Sequence, residues 1–284
     1  MLRRTTTVFM LALATALPLG TATVATGTAS AEETRTTTLR FADFDTLRAG
    51  QMSGAEFAEA IGGPVWADGA FDDSSVVDAG GKSGKVYRID LDAGTIRDNP
   101  HGNHGIVAAV PLARQVDNAC IRYRVRFGSG FDWSKGGKLP GLSGVAPGVS
   151  PTAPTGGGNP GDKGWSGRLM WGSGGSLSSY LYYPSQTSYY GQGFAWGTRA
   201  GDGGWHVLRQ CYTMNTVGRA NGVMRAWLDG QQVLSRTDMV YRLNSRVRIS
   251  HIMWAVFRGG ATLDWAGQRD SHIDFDRLRI TTSG

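Results

Sequence analysis

Five polar side chains in the middle of the chain have the types and the spacing of a catalytic group. They are a lysine, a serine, an arginine and two tyrosines: Lys138, Ser166, Arg168, Tyr180 and Tyr182. Residues two apart in a strand point to the same side, so the serine shares a face with the arginine, and the two tyrosines share another. If the turn between these strands centres on Gly174, Arg168 lies opposite Tyr180. Ser166 then lies opposite Tyr182, and one patch carries two phenols, a guanidinium and a hydroxyl.

Each of these pairs alone is also typical of a solvated sheet face. Tyrosine is a good strand former, and arginine and serine are common on exposed strands. The combination favours a site, because phenols beside cations offer proton donors and acceptors next to groups that hold an anion. We therefore treat the patch as a candidate catalytic site.

Three segments around these residues resemble one known group of enzymes. They are the heptad 136–142, which is the most specific, the strand 166–171, and the Tyr180-x-Tyr182 motif. They are similar to the alginate and glucuronan lyases of polysaccharide lyase family 14, and the similarity extends from about Lys85 to the C-terminus. The resemblance implies that the five residues line a cleft and contact the uronate of an acidic polysaccharide substrate.

β-Elimination in a 1,4-linked polyuronate needs three functions. A cation must offset the charge that grows on the carboxylate as the C5 proton leaves, a base must take that proton, and an acid must protonate the departing O4. Arg168 suits the first task, because a guanidinium stays charged and can hold a carboxylate with two hydrogen bonds. We predict Tyr182 as the acid/base group, with Lys138 assisting and Ser166 orienting the substrate. Spacing leaves two alternatives open, in which Tyr180 or a desolvated Lys138 takes a proton-transfer role.

The charged residues favour an acidic ligand and argue against hydrolysis. The net charge is +6 at pH 7, and residues 61–284 contain 24 Lys and Arg against 17 Asp. The last glutamate is Glu59, so a glycosidase pair of carboxyl groups would have to come from aspartates. Asp274 and Asp276 share a strand face, but such a pair is more typical of hydrogen bonding, turn caps or a calcium ligand. Nucleic acid is the other polyanion, and the sequence has no helix-turn-helix, zinc-finger or RNA-binding motif.

The N-terminus has the pattern of a signal peptide. Two arginines precede an apolar run over 8–19, and a small-residue cleavage site predicts removal of residues 1–31. The run is shorter than the ~18 residues of a membrane span, so we expect a secreted protein without a membrane anchor. An extension over 32–84 leads into the predicted domain, residues 85–284, which we expect to be a monomer.

The fold class predicted from the pattern is all-β, an antiparallel β-sandwich or jelly roll. One short N-terminal helix is also predicted, because Ser53-Gly54-Ala55-Glu56 is a capping box ahead of residues 57–61. From Lys85 onward, alternating apolar residues and turn signals predict ten strands. These are 86–91, 105–112, 119–127, 165–171, 177–183, 205–215, 223–228, 231–234, 247–257 and 273–280.

Two cysteines are the number expected for a single bridge in an exported protein. Cys120 alternates with the apolar residues of its strand, so its side chain is expected to face outward, and Cys211 fits the same pattern. We predict a disulfide between Cys120 and Cys211 on neighbouring strands.

Residues outside the central patch are candidates for binding the substrate. His104 lies in a glycine-rich turn before a strand, where an imidazole could reach the cleft, although such a turn is also typical of a solvated loop or an incidental metal site. Tyr189 and Tyr190 could stack on sugar rings. The Gly-, Pro-, Ser- and Thr-rich segment 143–164 predicts a loop, either a lid over the cleft or a disordered surface insertion. No cofactor is expected to be required and no metal ligands are assigned, with a structural calcium left open.

A second class of function uses the same residues without catalysis. In a lectin-like module for acidic carbohydrates, Arg168 and Lys138 would bind the uronate and the tyrosines would stack against it. We favour the enzyme, because binding alone does not require a phenol pair beside a lysine. Replacing Tyr182 by Phe separates the two: an enzyme loses turnover and keeps affinity, and a lectin scarcely changes.

Overall fold

The computed structural model describes residues 36–69, 71–97 and 104–283. Within them the chain forms two antiparallel sheets and one short α-helix, so the predicted all-β sandwich is confirmed. The predicted signal peptide, residues 1–31, lies outside the described residues. No helix in the described part combines the length and the apolar character that a membrane span needs.

The elements follow one another mostly through short connections. In chain order they are β1 (Thr36–Ala42), β2 (Gly50–Gln51), α1 (Gly54–Ala60), β3 (Trp66–Gly69), β4 (Ser74–Asp78), β5 (Lys85–Leu91), β6 (Ile106–Val116), β7 (Asn118–Phe127), β8 (Gly136–Val145), β9 (Gly164–Gly172), β10 (Ser176–Tyr182), β11 (Gln192–Arg199), β12 (Trp205–Thr213), β13 (Gly222–Leu228), β14 (Gln231–Met239), β15 (Ile249–Arg258) and β16 (Ser271–Ser283). Short 3₁₀ turns cover Phe71–Asp73, Gly81–Ser83, Ser173–Gly175 and Leu263–Trp265.

The strands sort into two sheets. A nine-stranded sheet has the order β14-β13-β12-β7-β16-β5-β4-β2, with β1 pairing to β16 beyond the stretch that pairs with β5. A seven-stranded sheet has the order β11-β10-β9-β8-β15-β6-β3. Side chains that alternate inward from both sheets form one apolar core between them. Trp165, Trp171 and Trp254 are fully buried, and all three belong to this core.

The helix forms where the capping box predicts it. The Ser53 hydroxyl accepts a hydrogen bond from the Glu56 amide, and the Glu56 carboxylate accepts one from the Ser53 amide at 2.8 Å. Phe57 anchors the helix in the core, where it is fully buried.

All ten predicted strands are present, with ends shifted by a few residues. The sequence analysis missed β8 and β11, and it left the strands before Lys85 unassigned. Glycine, proline and serine give β8 a low strand propensity, but its neighbours β9 and β15 hydrogen-bond to both of its edges. The predicted extension 32–84 supplies β1, β2 and β4 to the nine-stranded sheet and β3 to the seven-stranded sheet.

The predicted disulfide is confirmed. Cys120 in β7 and Cys211 in β12 occupy directly paired positions, with their Cα atoms 4.0 Å apart. Neither side chain belongs to the core, as the alternation along both strands predicts.

Candidate active site

The hairpin of β9 and β10 has the register that the sequence predicts. Arg168 pairs with Tyr180 and Ser166 pairs with Tyr182. The turn between the strands includes Gly174 at φ +61°, in the left-handed region that favours glycine. Because the turn fixes the register, the guanidinium and both phenols lie on one side of the seven-stranded sheet, facing away from the core.

Strand β8 brings Lys138 beside this hairpin, where it pairs with Met170 of β9 and Phe257 of β15. The glycines of the heptad 136–142 permit this close packing. A Cβ atom on Gly141 would lie 1.9 Å from the Gly167 carbonyl oxygen, and one on Gly137 would lie 2.2 Å from the Trp171 ring. Glycine is therefore required at these positions of the heptad, because the neighbouring strands leave no space for a side chain.

A cavity of about 310 Å³ opens on this outer face of the seven-stranded sheet. Four of the five predicted catalytic residues line it: Lys138, Arg168, Tyr180 and Tyr182. The remaining wall comes from β3, β6, β15 and four connecting loops, through Trp66, Arg97, Val107, Thr152, Thr155, Gly156, Tyr190, Met253, Phe257, Gly259, Gly260 and Ala261. The residue types and spacing of the sequence thus predict the polar centre of the cavity, although not its rim.

Lys138 is buried against aromatic rings. Its side chain is only 7% exposed, and Nζ lies 4.5 Å from the centre of the Tyr180 ring. The ammonium donates to the Gly259 carbonyl oxygen at 3.2 Å. Burial, with a smaller contribution from the Arg168 charge, lowers the pKa of Lys138 to about 7. A substantial fraction of this amine is therefore neutral at physiological pH.

Arg168 is a second buried cation in the same cavity. It is 5% exposed, and its Cζ atom lies 5.7 Å from the Tyr180 ring centre and 5.8 Å from that of Tyr182. Its Nε has no hydrogen-bond partner in the part of the chain that the structure describes, and no described carboxylate forms an ion pair with Arg168 or with Lys138. Two desolvated cations without a counter-ion form a site prepared for an anion.

The two tyrosines differ in access to the cavity. Their rings meet edge to face with centres 5.7 Å apart. Tyr182 is 2% exposed, whereas Tyr180 is partly exposed and carries the ring that Lys138 stacks on. Burial and the neighbouring Tyr182 phenol raise the pKa of Tyr180 well above its ordinary value, so its hydroxyl keeps its proton at neutral pH.

Ser166 is the one predicted catalytic residue that the structure does not bring to the cavity. Its side chain is fully buried, and its hydroxyl donates to the Pro154 carbonyl oxygen at 2.6 Å. This hydrogen bond fastens the connection between β8 and β9 to strand β9. We call that connection, residues 146–163, the cavity loop. Ser166 therefore supports the loop that forms one wall.

The cavity loop is held in place and contributes Thr152, Thr155 and Gly156 to the lining. The Gly158 amide donates to the Tyr189 carbonyl oxygen at 2.7 Å, and Asn159 donates from its side chain to Pro184 at 2.8 Å. The loop predicted over 143–164 is shorter in the structure, because 143–145 belong to β8 and 164 begins β9. Of its two interpretations, a loop over the cleft agrees with the structure better than a disordered insertion.

The predicted substrate-binding residues separate into two places. Tyr190 lines the cavity and is 55% exposed, and Tyr189 packs against it with ring centres 5.0 Å apart without lining the cavity. His104 lies elsewhere, with Nδ1 3.5 Å from the Asp73 carboxylate. One ring nitrogen of His104 and one carboxylate oxygen each from Asp73 and Asp92 lie within 4.8 Å of one another, so these three atoms could hold a cation.

Asp274 and Asp276 do not form a hydrolytic pair. They lie on the nine-stranded sheet, where Arg88 and Arg126 bind the Asp274 carboxylate and Arg124 binds that of Asp276. Both carboxylates are therefore engaged in ion pairs on the sheet that does not carry the cavity.

Several lining residues were not found from the sequence. Trp66 and Arg97 belong to segments with little strand pattern, and Met253 and Phe257 belong to the apolar run of β15. Strand pairing puts Trp66, Met253 and Phe257 on the cavity face, and a backbone hydrogen bond to Arg258 holds Arg97 there, so a single sequence carries no direct signal for either.

The fold and the cavity together define a β-sandwich protein built to receive an acidic ligand. Residues 80–278 match the family model described as Polysaccharide lyase 14. The chain belongs to this family and is a polysaccharide lyase, as the resemblance of the three segments predicts.

Solved structures of other proteins have the same fold. The PL-14 alginate lyase of Aplysia kurodai is 22% identical, with a TM-score of 0.75 over 87% of this chain and 100% of the other. A lysine and tyrosine double variant of alginate lyase Aly36B, in complex with alginate tetrasaccharide, is 24% identical, with a TM-score of 0.70 over 85% and 95%. The endo-β-1,4-glucuronan lyase of Trichoderma reesei is 13% identical, with a TM-score of 0.50 over 78% and 96%. No curated protein sequence matches the chain significantly.

Proposed function

We propose that this polysaccharide lyase cleaves a 1,4-linked polyuronate, alginate or glucuronan, by β-elimination and leaves an unsaturated uronate at the new chain end. The observation that carries the proposal is the pair of buried basic side chains, Lys138 and Arg168, which share a cavity with two phenols and have no carboxylate partner among the described residues. The structurally similar alginate and glucuronan lyases support the choice of polymer.

Arg168 receives the uronate carboxylate. Its guanidinium is already desolvated, so little solvent has to be displaced from it when an anion binds. As the C5 proton leaves, negative charge moves onto the carboxylate, and a fixed cation stabilises that state more than it stabilises the substrate. Ion pairing therefore lowers the barrier as well as positioning the sugar.

Lys138 takes the C5 proton. Its pKa of about 7 makes the neutral amine available at neutral pH, and its hydrogen bond to Gly259 holds the nitrogen in place. The electrons of the C5–H bond form the C4=C5 double bond as the C4–O4 bond breaks. The lysine then returns its proton to water.

Tyr180 protonates the departing O4, and the phenolate that remains takes a proton back from water. Its raised pKa keeps the hydroxyl protonated, and it lies next to Lys138, so the acid and the base adjoin the same sugar ring. The sequence pattern alone favours Tyr182 for this task, and that assignment stays a prediction. We now prefer Tyr180, because it is the phenol that combines exposure to the cavity with contact to Lys138.

The test is the rise in far-ultraviolet absorbance from the new double bond. Purified mature protein is mixed separately with polymannuronate, polyguluronate and glucuronan. We expect a rise on one of them, a loss of at least about 100-fold in kcat for Tyr180→Phe, and a smaller loss for Tyr182→Phe. Binding without any rise on the three polymers would contradict elimination and favour the lectin-like module.

We also propose that the protein acts outside the cell. The signal-peptide pattern and the Cys120–Cys211 disulfide support export, since such bridges persist in oxidising compartments. Detection of a mature protein that begins near Glu32 in the culture medium would test this, and retention of the full-length chain inside the cell would contradict it.

A further inference from the structure

A row of side chains crosses the outer face of the nine-stranded sheet, on the opposite side of the sandwich from the cavity. Five strands each contribute one residue to it, in direct lateral register: Phe41 of β1, Arg279 of β16, Arg122 of β7, Arg209 of β12 and Trp227 of β13. We call it the arginine row. Neighbouring strands are about 4.8 Å apart, so the row spans about 19 Å between its two aromatic ends.

The row is accessible along its length. The three arginines are exposed, and Phe41 is 45% exposed although it is a large apolar residue. At one end the Arg279 guanidinium lies 5.3 Å from the Phe41 ring centre, and at the other the Arg209 guanidinium lies 4.6 Å from that of Trp227. Stacking on the rings orders the two outer guanidinium groups.

The charges of the row are not neutralised. None of its three arginines forms an ion pair with a described carboxylate. Asp43 and Asp45 border the pocket beside Arg122 and Arg279, but beyond ion-pair distance. Burial and four neighbouring arginines, first Arg279 and then Arg209, lower the pKa of Arg122. Positive charge is therefore concentrated at the middle of the row.

Two other outward-facing arginines on strand β7 do have acidic partners. Arg124 and Arg126 point to the same face as Arg122, and their partners are the buried carboxylates of Asp276 and Asp274. Like charges that face each other on adjacent strands destabilise a sheet, so three adjacent arginines that form no ion pair with a described carboxylate carry a cost that a bound anion would reduce.

We propose that the arginine row is a second, non-catalytic binding surface for the acidic polysaccharide. A 4-linked polyuronate carries one carboxylate on every ring and has apolar ring faces. The three guanidinium groups would bind successive carboxylates with paired hydrogen bonds, and the aromatic ends would stack on sugar rings. The choice of a polyuronate as ligand depends on the proposed function of the cavity, whereas the surface itself does not.

A second binding surface raises the enzyme's affinity for a long polysaccharide. Once the row holds one stretch of polymer, the cavity meets other stretches of the same molecule at a raised local concentration. Short oligomers cannot reach both sides of the sandwich, so the row contributes to polymer binding and leaves oligomer cleavage unchanged.

The experiment removes the three charges and keeps a polar, hydrogen-bonding side chain at each position. The triple variant Arg122→Gln, Arg209→Gln and Arg279→Gln is compared with a matched control that changes three exposed arginines elsewhere, Arg114, Arg219 and Arg246, to Gln. Binding to polymannuronate, polyguluronate and glucuronan is measured by calorimetry at two salt concentrations, in a Lys138→Met background that does not degrade the polymer. We expect the row variant to lose roughly tenfold in affinity for the polymer that the enzyme cleaves and to depend less on salt, and the control to change less than twofold.

A kinetic comparison separates this proposal from that of the cavity. With Lys138 intact, the row variant should raise KM for the polymer severalfold and leave kcat/KM for a tetrasaccharide unchanged. Equal losses in the row variant and the control would overturn the row as a site. An equal loss of affinity for single-stranded DNA would identify it as a general polyanion surface and would also overturn the proposal. If no polymer is cleaved, the cavity proposal fails while the binding comparison still tests the row.

Discussion

The two sheets of the sandwich differ in whether their buried charged side chains have ion-pair partners. On the nine-stranded sheet, the fully buried Asp274 carboxylate accepts hydrogen bonds from Arg88 at 2.8 Å and from Arg126 at 2.7 Å. On the seven-stranded sheet, Lys138 and Arg168 are nearly as buried, and no described carboxylate pairs with either. The Asp274 carboxylate thus has cationic partners without a ligand, whereas Lys138 and Arg168 have no anionic partner among the described residues.

This difference distinguishes a structural charge cluster from a functional one. A buried charge that already has its partners contributes to folding and has no capacity left for a substrate. A buried charge without partners costs folding free energy, and binding a ligand of opposite sign recovers it. Burial alone would mark Asp274 and Arg168 equally as candidate functional residues. The absence of a described counter-ion identifies Arg168 as the functional one.

The largest effect is expected from Lys138→Met, which keeps the length and the apolar stem of the side chain and removes the amine. Without the base, we expect kcat to fall by at least about 1000-fold. The folded protein should become more stable, because the charged form of the lysine is disfavoured by burial. Elimination assays and urea unfolding at pH 6 measure both effects.

The size of the stability change depends on pH. Lys138 has a folded pKa of about 7 against an ordinary 10.5, so the unfolded chain binds more protons between these values, and wild-type stability should rise with pH across that window. The gain from Lys138→Met is then greatest below about pH 7 and declines towards pH 10. A variant that is less stable than wild type at pH 6 would show that the lysine is not strained by burial.

Asp274→Asn breaks the compensated cluster instead. Two guanidinium groups would lose their carboxylate, and we expect a loss of about 3 kcal/mol in the free energy of unfolding. The activity of the folded fraction should stay within twofold of wild type, because Asp274 is on the other sheet. Asp238→Asn is the matched control, since Asp238 pairs with Arg236 on the surface and its loss should cost less than about 0.5 kcal/mol. Similar losses in both variants would remove the distinction between the clusters.

The pH dependence of kcat/KM tests the uncompensated cluster without mutation. The base must be neutral, so kcat/KM should fall about tenfold per pH unit below the Lys138 pKa of about 7. The raised pKa of Tyr180 keeps the acid protonated, so activity should hold well into the alkaline range. A profile that stays flat down to about pH 5 would exclude Lys138 as the base.

Local patterns were enough to predict much of this fold. Alternating apolar residues found the strands from Lys85 onward, the capping box found α1, and the outward alternation of Cys120 and Cys211 agreed with their bridge. Strand β8 was missed because its glycines and its proline oppose a strand locally. It forms through pairing with β9 and β15, which a local pattern does not record.

The site was predictable where it depends on register and unpredictable where it depends on contacts between distant segments. The turn at Gly174 fixed the positions of Arg168, Tyr180 and Tyr182. The sequence could not show that Ser166 lies beneath the cavity loop, that Lys138 stacks on Tyr180, or that Trp66 completes the wall. Each of these facts needs two segments far apart in the chain to meet.

The smallest effect should come from Ser166→Ala, which tests whether this residue supports the cavity loop or orients the substrate. Its loss leaves the buried Pro154 carbonyl without its donor, so we expect a cost of about 1 kcal/mol in stability, a roughly threefold rise in KM and little change in kcat. Ser143→Ala is the control, because Ser143 pairs with Ser166 across β8 and β9 and its buried hydroxyl has no hydrogen-bond partner within the described residues. It should leave stability unchanged or slightly raised. A large fall in kcat for Ser166→Ala with KM unchanged would instead support the substrate-orienting role that the sequence analysis predicted.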